Sequence, residues 1–138
     1  MSYLLDTNVI SELRKGKRAN ADVTAWFADV AEEEIFLSVL TIGEIRRGIE
    51  SVRRRDPDSA AALDRWLNLV REAHGDRVVP VDHAIAEEWG RMNVPDPLPV
   101  VDGLLAATAR VLGLTLVTRN VADIAGTEVL LLNPFAES

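Results

Sequence analysis

The chain reads as an α/β fold, a mostly parallel sheet with helices covering both of its faces. Three observations predict this. Short, nearly continuous apolar runs at Tyr3–Leu5, Ile35–Val39, Leu114–Thr118 and Val129–Leu132 have the length and composition of strands buried on both sides. Between them lie segments whose apolar residues recur every three or four positions, the period of an amphipathic helix. The two kinds of segment alternate along 138 residues, and strand–helix alternation is the pattern of parallel βαβ units.

Taken in order, Tyr3–Leu5 is expected as a first strand, followed by a helix from about Asn8 to Arg14 with Val9, Ile10 and Leu13 on one face. Val23, Trp26, Phe27 and Val30 mark a second helix, and Ile35–Val39 a second strand. From Thr41 to Val52 the residues Ile42, Ile45, Ile49 and Val52 step by three and four, which predicts a third helix. Arg53-Arg54-Arg55-Asp56-Pro57 breaks it. Asp58 or Ser59 is expected to cap the next helix, whose inner face is Ala60, Leu63, Leu67 and Val70. Val78–Val81 reads as a short strand at a sheet edge, because Pro80 has no N–H to give a central ladder. Ile85, Trp89 and Met92 mark a further helix, and Pro95, Pro97 and Pro99 then force a rigid loop. Val101, Leu104, Leu105, Thr108, Val111 and Leu112 line one face of a helix that stops at Gly113. No repeat, low-complexity tract or composition shift divides the chain, so residues 1–138 read as a single domain.

Hydrophobic residues make up 48% of the chain, which excludes disorder. Cysteine is absent, which excludes a disulfide framework and thiolate metal sites and fits a reducing compartment. No signal-peptide pattern and no membrane-spanning apolar run is present, so a cytoplasmic location is the expectation. The formal net charge of −7 runs against a broad basic surface for nucleic acid. Any such contact must come from local arginines and a bound cation. Lys15 and Lys17 are the only lysines, so the positive charge is nearly all guanidinium, which suits forked contacts to phosphate or carboxylate.

Four acidic residues stand at informative places. Asp6 directly follows the first strand, where its ordinary role is to cap the following helix. Glu44 lies near the start of the third helix, where a carboxylate complements the helix dipole. Asp102 opens a strongly apolar helix, and Val100, Val101, Leu104 and Leu105 around it predict desolvation, which a carboxylate tolerates only with a partner. Asp123 follows the strand that ends at Thr118, in a turn that Thr118 or Asn120 can build. In a parallel sheet all strands end on one edge, so residues that follow different strands meet there. Two like charges about 5 Å apart repel by roughly 3 kcal/mol at an effective dielectric near 20. A cluster of four therefore needs a counter-charge, and Mg²⁺ or Mn²⁺, which prefer oxygen ligands, supply one.

Carboxylate-held magnesium points to phosphoryl chemistry, and hence to a metal-dependent nuclease. Zinc is disfavoured, since His74 and His83 are the only histidines and read as surface or helix-terminal residues. No Ser-His-Asp arrangement is available, and Gly43, Gly48, Gly90 and Gly103 match no phosphate-binding loop. Two other readings compete. One is a phosphatase with Asp6 as aspartyl nucleophile, although Asn8 stands where such enzymes want a second acid. The other is a flavodoxin-like phosphoacceptor or binding module, for which Arg119 is a poor substitute for the lysine expected after the late strand. Arg46, Arg47 and Arg119 are the candidates for contact with RNA, while Arg53-Arg54-Arg55 reads first as a solvated run at a helix end, with an RNA-backbone contact as the alternative.

The ordered set Leu4-Leu5-Asp6-Thr7-Asn8-Val9-Ile10, Ser38-Val39-Leu40-Thr41-Ile42-Gly43-Glu44-Ile45, Asp102 with Ala106-Ala107, Thr118-Arg119-Asn120 with Asp123, and Leu132-Asn133-Pro134-Phe135 resembles the PIN domain. More narrowly, it resembles the VapC-type toxins of bacterial toxin–antitoxin pairs. The resemblance spans the chain. It implies a Rossmann-like three-layer fold, a Mg²⁺- or Mn²⁺-dependent endoribonuclease and a homodimer or toxin–antitoxin hetero-oligomer. It places the acidic set on Asp6, Glu44, Asp102 and Asp123, with Asp6 and Asp102 as principal metal ligands. Thr7, Asn8, Thr118 and Asn120 would order the site. It further implies an antitoxin that inserts a basic residue into the acidic pocket, where a guanidinium can replace the cation. Trp26, Phe27, Trp66 and Trp89 fall at core spacing, with one or two of them available for an antitoxin groove or dimer patch.

Overall fold

The computed structural model describes residues 1–135. Its strands are β1 (Tyr3–Leu5), β2 (Ile35–Ser38), β3 (Val78–Val79), β4 (Thr115–Val117) and β5 (Leu131–Leu132). They form one five-stranded sheet in the order β3-β2-β1-β4-β5. Each pairing among the described residues is parallel, for example Leu4 beside Phe36 on one side and beside Leu116 on the other. Seven helices connect them among the described residues: α1 (Thr7–Leu13), α2 (Ala21–Ala28), α3 (Val39–Arg53), α4 (Pro57–His74), α5 (His83–Met92), α6 (Val100–Leu112) and α7 (Val121–Ile124).

Alternation along the central strands divides the core in two. Leu5, Ile35, Leu37 and Val117 face one side, where they meet Val9, Val23, Ile45, Ile49 and Leu67 of α1 to α4. Leu4 and Leu116 face the other, where they meet Leu105, Ala106 and Ala109 of α6 and Ile124 of α7. The sheet is thus buried on both faces, which is why its strands carry no polar alternation. The chain builds outward from β1 to β2 and β3, then crosses back to lay β4 on the opposite side of β1. The carboxyl ends of β1 and β4 therefore flank the switch point, the place where open α/β sheets form their crevice.

Local chemistry moves several boundaries from their expected positions. Asp56, not Asp58 or Ser59, caps α4: its carboxylate accepts the Ser59 N–H at 3.1 Å, and Pro57 occupies the first helical position. Proline is favoured there because its missing N–H would have no helical partner. Val39 leaves the second strand and opens α3, since Ser38 accepts the Leu40 N–H and caps the helix one residue earlier than the apolar run suggests. The last strand shrinks to Leu131–Leu132. β3 lies at the sheet edge, as Pro80 requires. Gly113 ends α6 at φ 69°, a left-handed cap that suits glycine. His74 does terminate α4, but it is buried rather than on the surface, with Nδ1 2.8 Å from the Val70 carbonyl.

Candidate metal centre at the switch point

Asp6 is the hub. It caps α1, accepting the Thr7 N–H at 2.6 Å, and it is 5% exposed. Its second oxygen accepts the Thr118 hydroxyl at 2.8 Å and the Asn8 amide at 3.4 Å. Thr118 follows β4 and is fully buried, so this bond ties the two strand ends across the switch point. The Thr118 hydroxyl is saturated: it donates to Asp6 and accepts from the Asn120 backbone N–H at 3.0 Å and from Asn8 at 3.4 Å. Asn8 in turn accepts the Arg119 N–H at 3.2 Å, which fixes the loop after β4. The capping role and the chemical role of Asp6 thus coexist, because one residue can satisfy a helix end and still hold charge in the pocket.

Glu44 enters from the second turn of α3, too far along the helix to serve the dipole, and accepts the Thr7 hydroxyl at 2.5 Å. Asp102 lies half-buried in the first turn of α6, and Asp123 is exposed in α7. The four carboxyl groups share an electrostatic neighbourhood. Burial pushes the Asp102 carboxyl above the ordinary aspartate range, and the negative charges of Asp6, Asp123 and Glu44 push it further the same way. Burial also raises Asp6; the hydrogen bonds from Thr118 and Thr7 pull it back, and Glu44 adds to the rise. Among the described residues no Lys or Arg forms an ion pair with any of the four. Nor do any three Asp, Glu or His side chains, among the described residues, stand as a ready-made chelate.

The arginines sort differently from the carboxylates. Arg46 and Arg53 both grip Asp64 at 2.5 Å and also contact Glu50, so they stitch α3 to α4. Arg46, a candidate RNA contact by sequence, is committed to that network. Arg47 is exposed on α3, and the Arg119 guanidinium lies over the Phe135 ring at 4.6 Å. Trp26, Phe27, Trp66 and Trp89 are all half-buried. Phe27 and Trp66 line an apolar groove with Val30, Leu69, Val70 and Ala73. Ser38, named in the motif, proves to be the buried cap that starts α3, and Gly103, weighed only against a phosphate loop, proves to adjoin the Trp89 indole; a serine closing an apolar strand and a glycine inside a helical pattern were the available signals.

The chain is similar to known proteins over most of its length. The PIN domain family model matches residues 3–122. Toxin FitB of Neisseria gonorrhoeae is 28% identical over 137 residues, covering 96% of this chain and 97% of that one. Ribonuclease VapC14 of Mycobacterium tuberculosis is 43% identical over 68 residues, covering 49% of this chain and 65% of that one. The crystal structure of FitAcB from N. gonorrhoeae superposes with a TM-score of 0.90 at 28% identity, over 98% of this chain and 99% of that chain. A chain with a five-stranded parallel sheet and a family match over most of its length belongs to the PIN-domain family.

Proposed function

We propose that the protein is a divalent-metal-dependent endoribonuclease, the toxin of a toxin–antitoxin pair. The observation that carries this reading is the buried Asp6, held by Thr7 and Thr118 where β1 and β4 end, with a half-buried Asp102 whose proton affinity is raised by burial and then by the charges of Asp6, Asp123 and Glu44. The donor set fits a hard cation. All four candidate ligands, Asp6, Glu44, Asp102 and Asp123, are carboxylates, and no cation among the described residues pairs with them. Asp6 and Asp102 would be the principal ligands, with Glu44 and Asp123 completing the set. A bound Mg²⁺ or Mn²⁺ would supply charge stabilisation at a phosphodiester and lower the pKa of a bound water.

The chain's own residues do the rest. Thr118 and Thr7 hold the two Asp6 oxygens in fixed directions, so the carboxylate need not reorganise when a cation or phosphate arrives. Thr7 bridges Asp6 and Glu44 by donating its hydroxyl to the glutamate while its N–H serves the aspartate. Asn8 keeps the loop after β4 against the pocket, with Asn120 bound to Thr118 beside it. Arg47 and Arg119 are the candidates for the RNA backbone.

The names of the relatives support both halves of the proposal. VapC14 is named a ribonuclease, and FitB a toxin. The structure of FitAB, 26% identical with a TM-score of 0.88 over 99% of this chain and 97% of that one, is bound to a DNA fragment. By the same reading this chain has a cognate antitoxin, whose basic residue would fill the acidic pocket in place of the cation, and it forms a homodimer or a toxin–antitoxin hetero-oligomer. Among the described residues no helix is long and apolar enough to cross a membrane. The test is cleavage of labelled RNA by antitoxin-free protein with Mg²⁺, with Mn²⁺ and with chelator. Cleavage should require the ion and fall at least about 100-fold in Asp6→Asn and Asp102→Asn. Equal cleavage with chelator, or no cleavage of any RNA under any condition, would refute the proposal.

A further inference from the structure

Asp102 reaches the pocket from a helix end that has no cap of its own, because Pro99 offers no side-chain hydrogen bond to the first turn of α6. What meets that turn is α5. The side-chainless surface at Gly103 is occupied by the edge of the Trp89 indole: a Cβ there would stand 3.1 Å from Trp89 Cδ1, 3.1 Å from Trp89 Nε1 and 3.4 Å from Leu98 Cβ. Gly103 is therefore the seat that lets the indole lie against α6, one residue from Asp102. The contact is made even though the Trp89 indole N–H is buried without a hydrogen-bond partner, a loss that close packing must offset. Asn93 closes the arrangement. Its amide donates to the Trp89 carbonyl at 2.7 Å and its carbonyl oxygen accepts the Leu98 N–H at 2.8 Å, so the end of α5 and the loop entering α6 move as one piece.

We propose that Trp89, seated on Gly103 and stapled through Asn93, is a positioning residue that sets how close the Asp102 carboxylate stands to Asp6. The inference rests on the metal-site reading for its meaning, but the placement itself is testable without metal. A Cβ at 3.1 Å forces the indole or the first turn of α6 to give way by a few tenths of an ångström, and that turn carries Asp102 with it. Trp89→Phe shrinks the ring against the same seat. Each single change therefore moves Asp102 relative to the fixed Asp6, whereas the pair compensates.

The experiment is a double-mutant cycle by urea denaturation in chelator. In the wild-type background Asp102→Asn removes repulsion from Asp6, Glu44 and Asp123 and should lower the unfolding equilibrium constant about fivefold. In Gly103→Ala, which pushes the first turn of α6 off the indole, and in Trp89→Phe, which removes bulk from the same seat, the gain should shift by at least about twofold in opposite directions, and in the double background the wild-type gain should return. Should Gly103→Ala fail to fold, Trp89→Phe decides alone. Mn²⁺ binding to the RNA-free protein, read by calorimetry, should weaken at least about tenfold in each single variant and recover in the double. An Asp102→Asn gain that is the same in every background would overturn the inference, as would the absence of any gain in the wild type. Mn²⁺ that fails to bind wild-type protein would instead refute the metal reading and leave the cycle to judge the placement.

Discussion

Thr118→Val should destabilise the protein by about 2–3 kcal/mol at neutral pH. The side chains have nearly the same shape and Thr118 is fully buried, so neither a cavity nor a clash arises. What disappears is the 2.8 Å hydrogen bond to the Asp6 carboxylate, together with the acceptor for the Asn120 N–H at 3.0 Å. A bond to a charged group contributes about 1.5–3 kcal/mol, and the abandoned oxygen is on a residue too buried for water to replace the donor freely. The midpoint of thermal unfolding should fall by roughly 5–10 °C. The pH dependence makes the test specific. Burial raises the Asp6 carboxyl and Thr118 opposes that rise by favouring the ionised form, so the variant should have Asp6 raised further still. An acid raised in the folded state stabilises the fold at low pH, fully below the ordinary aspartate value, and this contribution is lost as pH rises through the folded pKa. The gap between wild type and variant is therefore widest at neutral pH and narrows as both carboxyls become protonated. Urea unfolding followed by circular dichroism at about pH 7.5 and about pH 4 measures both quantities. A loss below about 0.5 kcal/mol, or one that is equal at the two pH values, would refute the reasoning.

Asp64→Asn should weaken the fold through the loss of Arg53 and Arg46, which hold the Asp64 carboxyl below the ordinary aspartate range. That contribution is present above the ordinary aspartate pKa and disappears as pH falls through the lowered one, so denaturant midpoints of variant and wild type should converge in strong acid and also in about 1 M salt. Leu116→Ala, at a fully buried position on β4 beside the central strand, should cost about 3 kcal/mol, read as a shift in urea midpoint with unchanged slope. Gly113→Ala, at φ 69°, should cost about 1 kcal/mol because a Cβ is strained in the left-handed region; a neutral result would mean that α6 can end in another conformation.

The fold was legible because strand burial and helix period are written directly in residue order. The run Tyr3–Leu5 and the stepped Ile42, Ile45 and Ile49 leave little choice once both faces of a sheet must be covered. Boundaries were less legible, because they turn on single hydrogen bonds. Ser38 converts the end of an apolar run into a helix start, and Asp56 takes the cap expected of Asp58 or Ser59. In the site, Asp6 and Thr118 announce themselves by following strands. Glu44 carries a weaker signal, since a glutamate near a helix start is unremarkable until Thr7 is found to bind it from 37 residues away. Arg46 was misleading in the same way: its neighbours in sequence suggested a basic patch, while its neighbours in space are Glu50 and Asp64.

By itself, then, residue order determined the α/β class, the order of the strands and helices, and the candidacy of Asp6 and Asp123 as carboxylates that follow strands, because hydrophobic periodicity and the strand-then-carboxylate pattern are local properties. Only the tertiary structure decided that β1 and β4 are neighbours, that Thr118 donates to Asp6, that Arg46 and Arg53 cross-link two helices, and that Trp89 rests on Gly103. Those are contacts between residues far apart in the chain, and their energies depend on distance and burial, which no local pattern encodes.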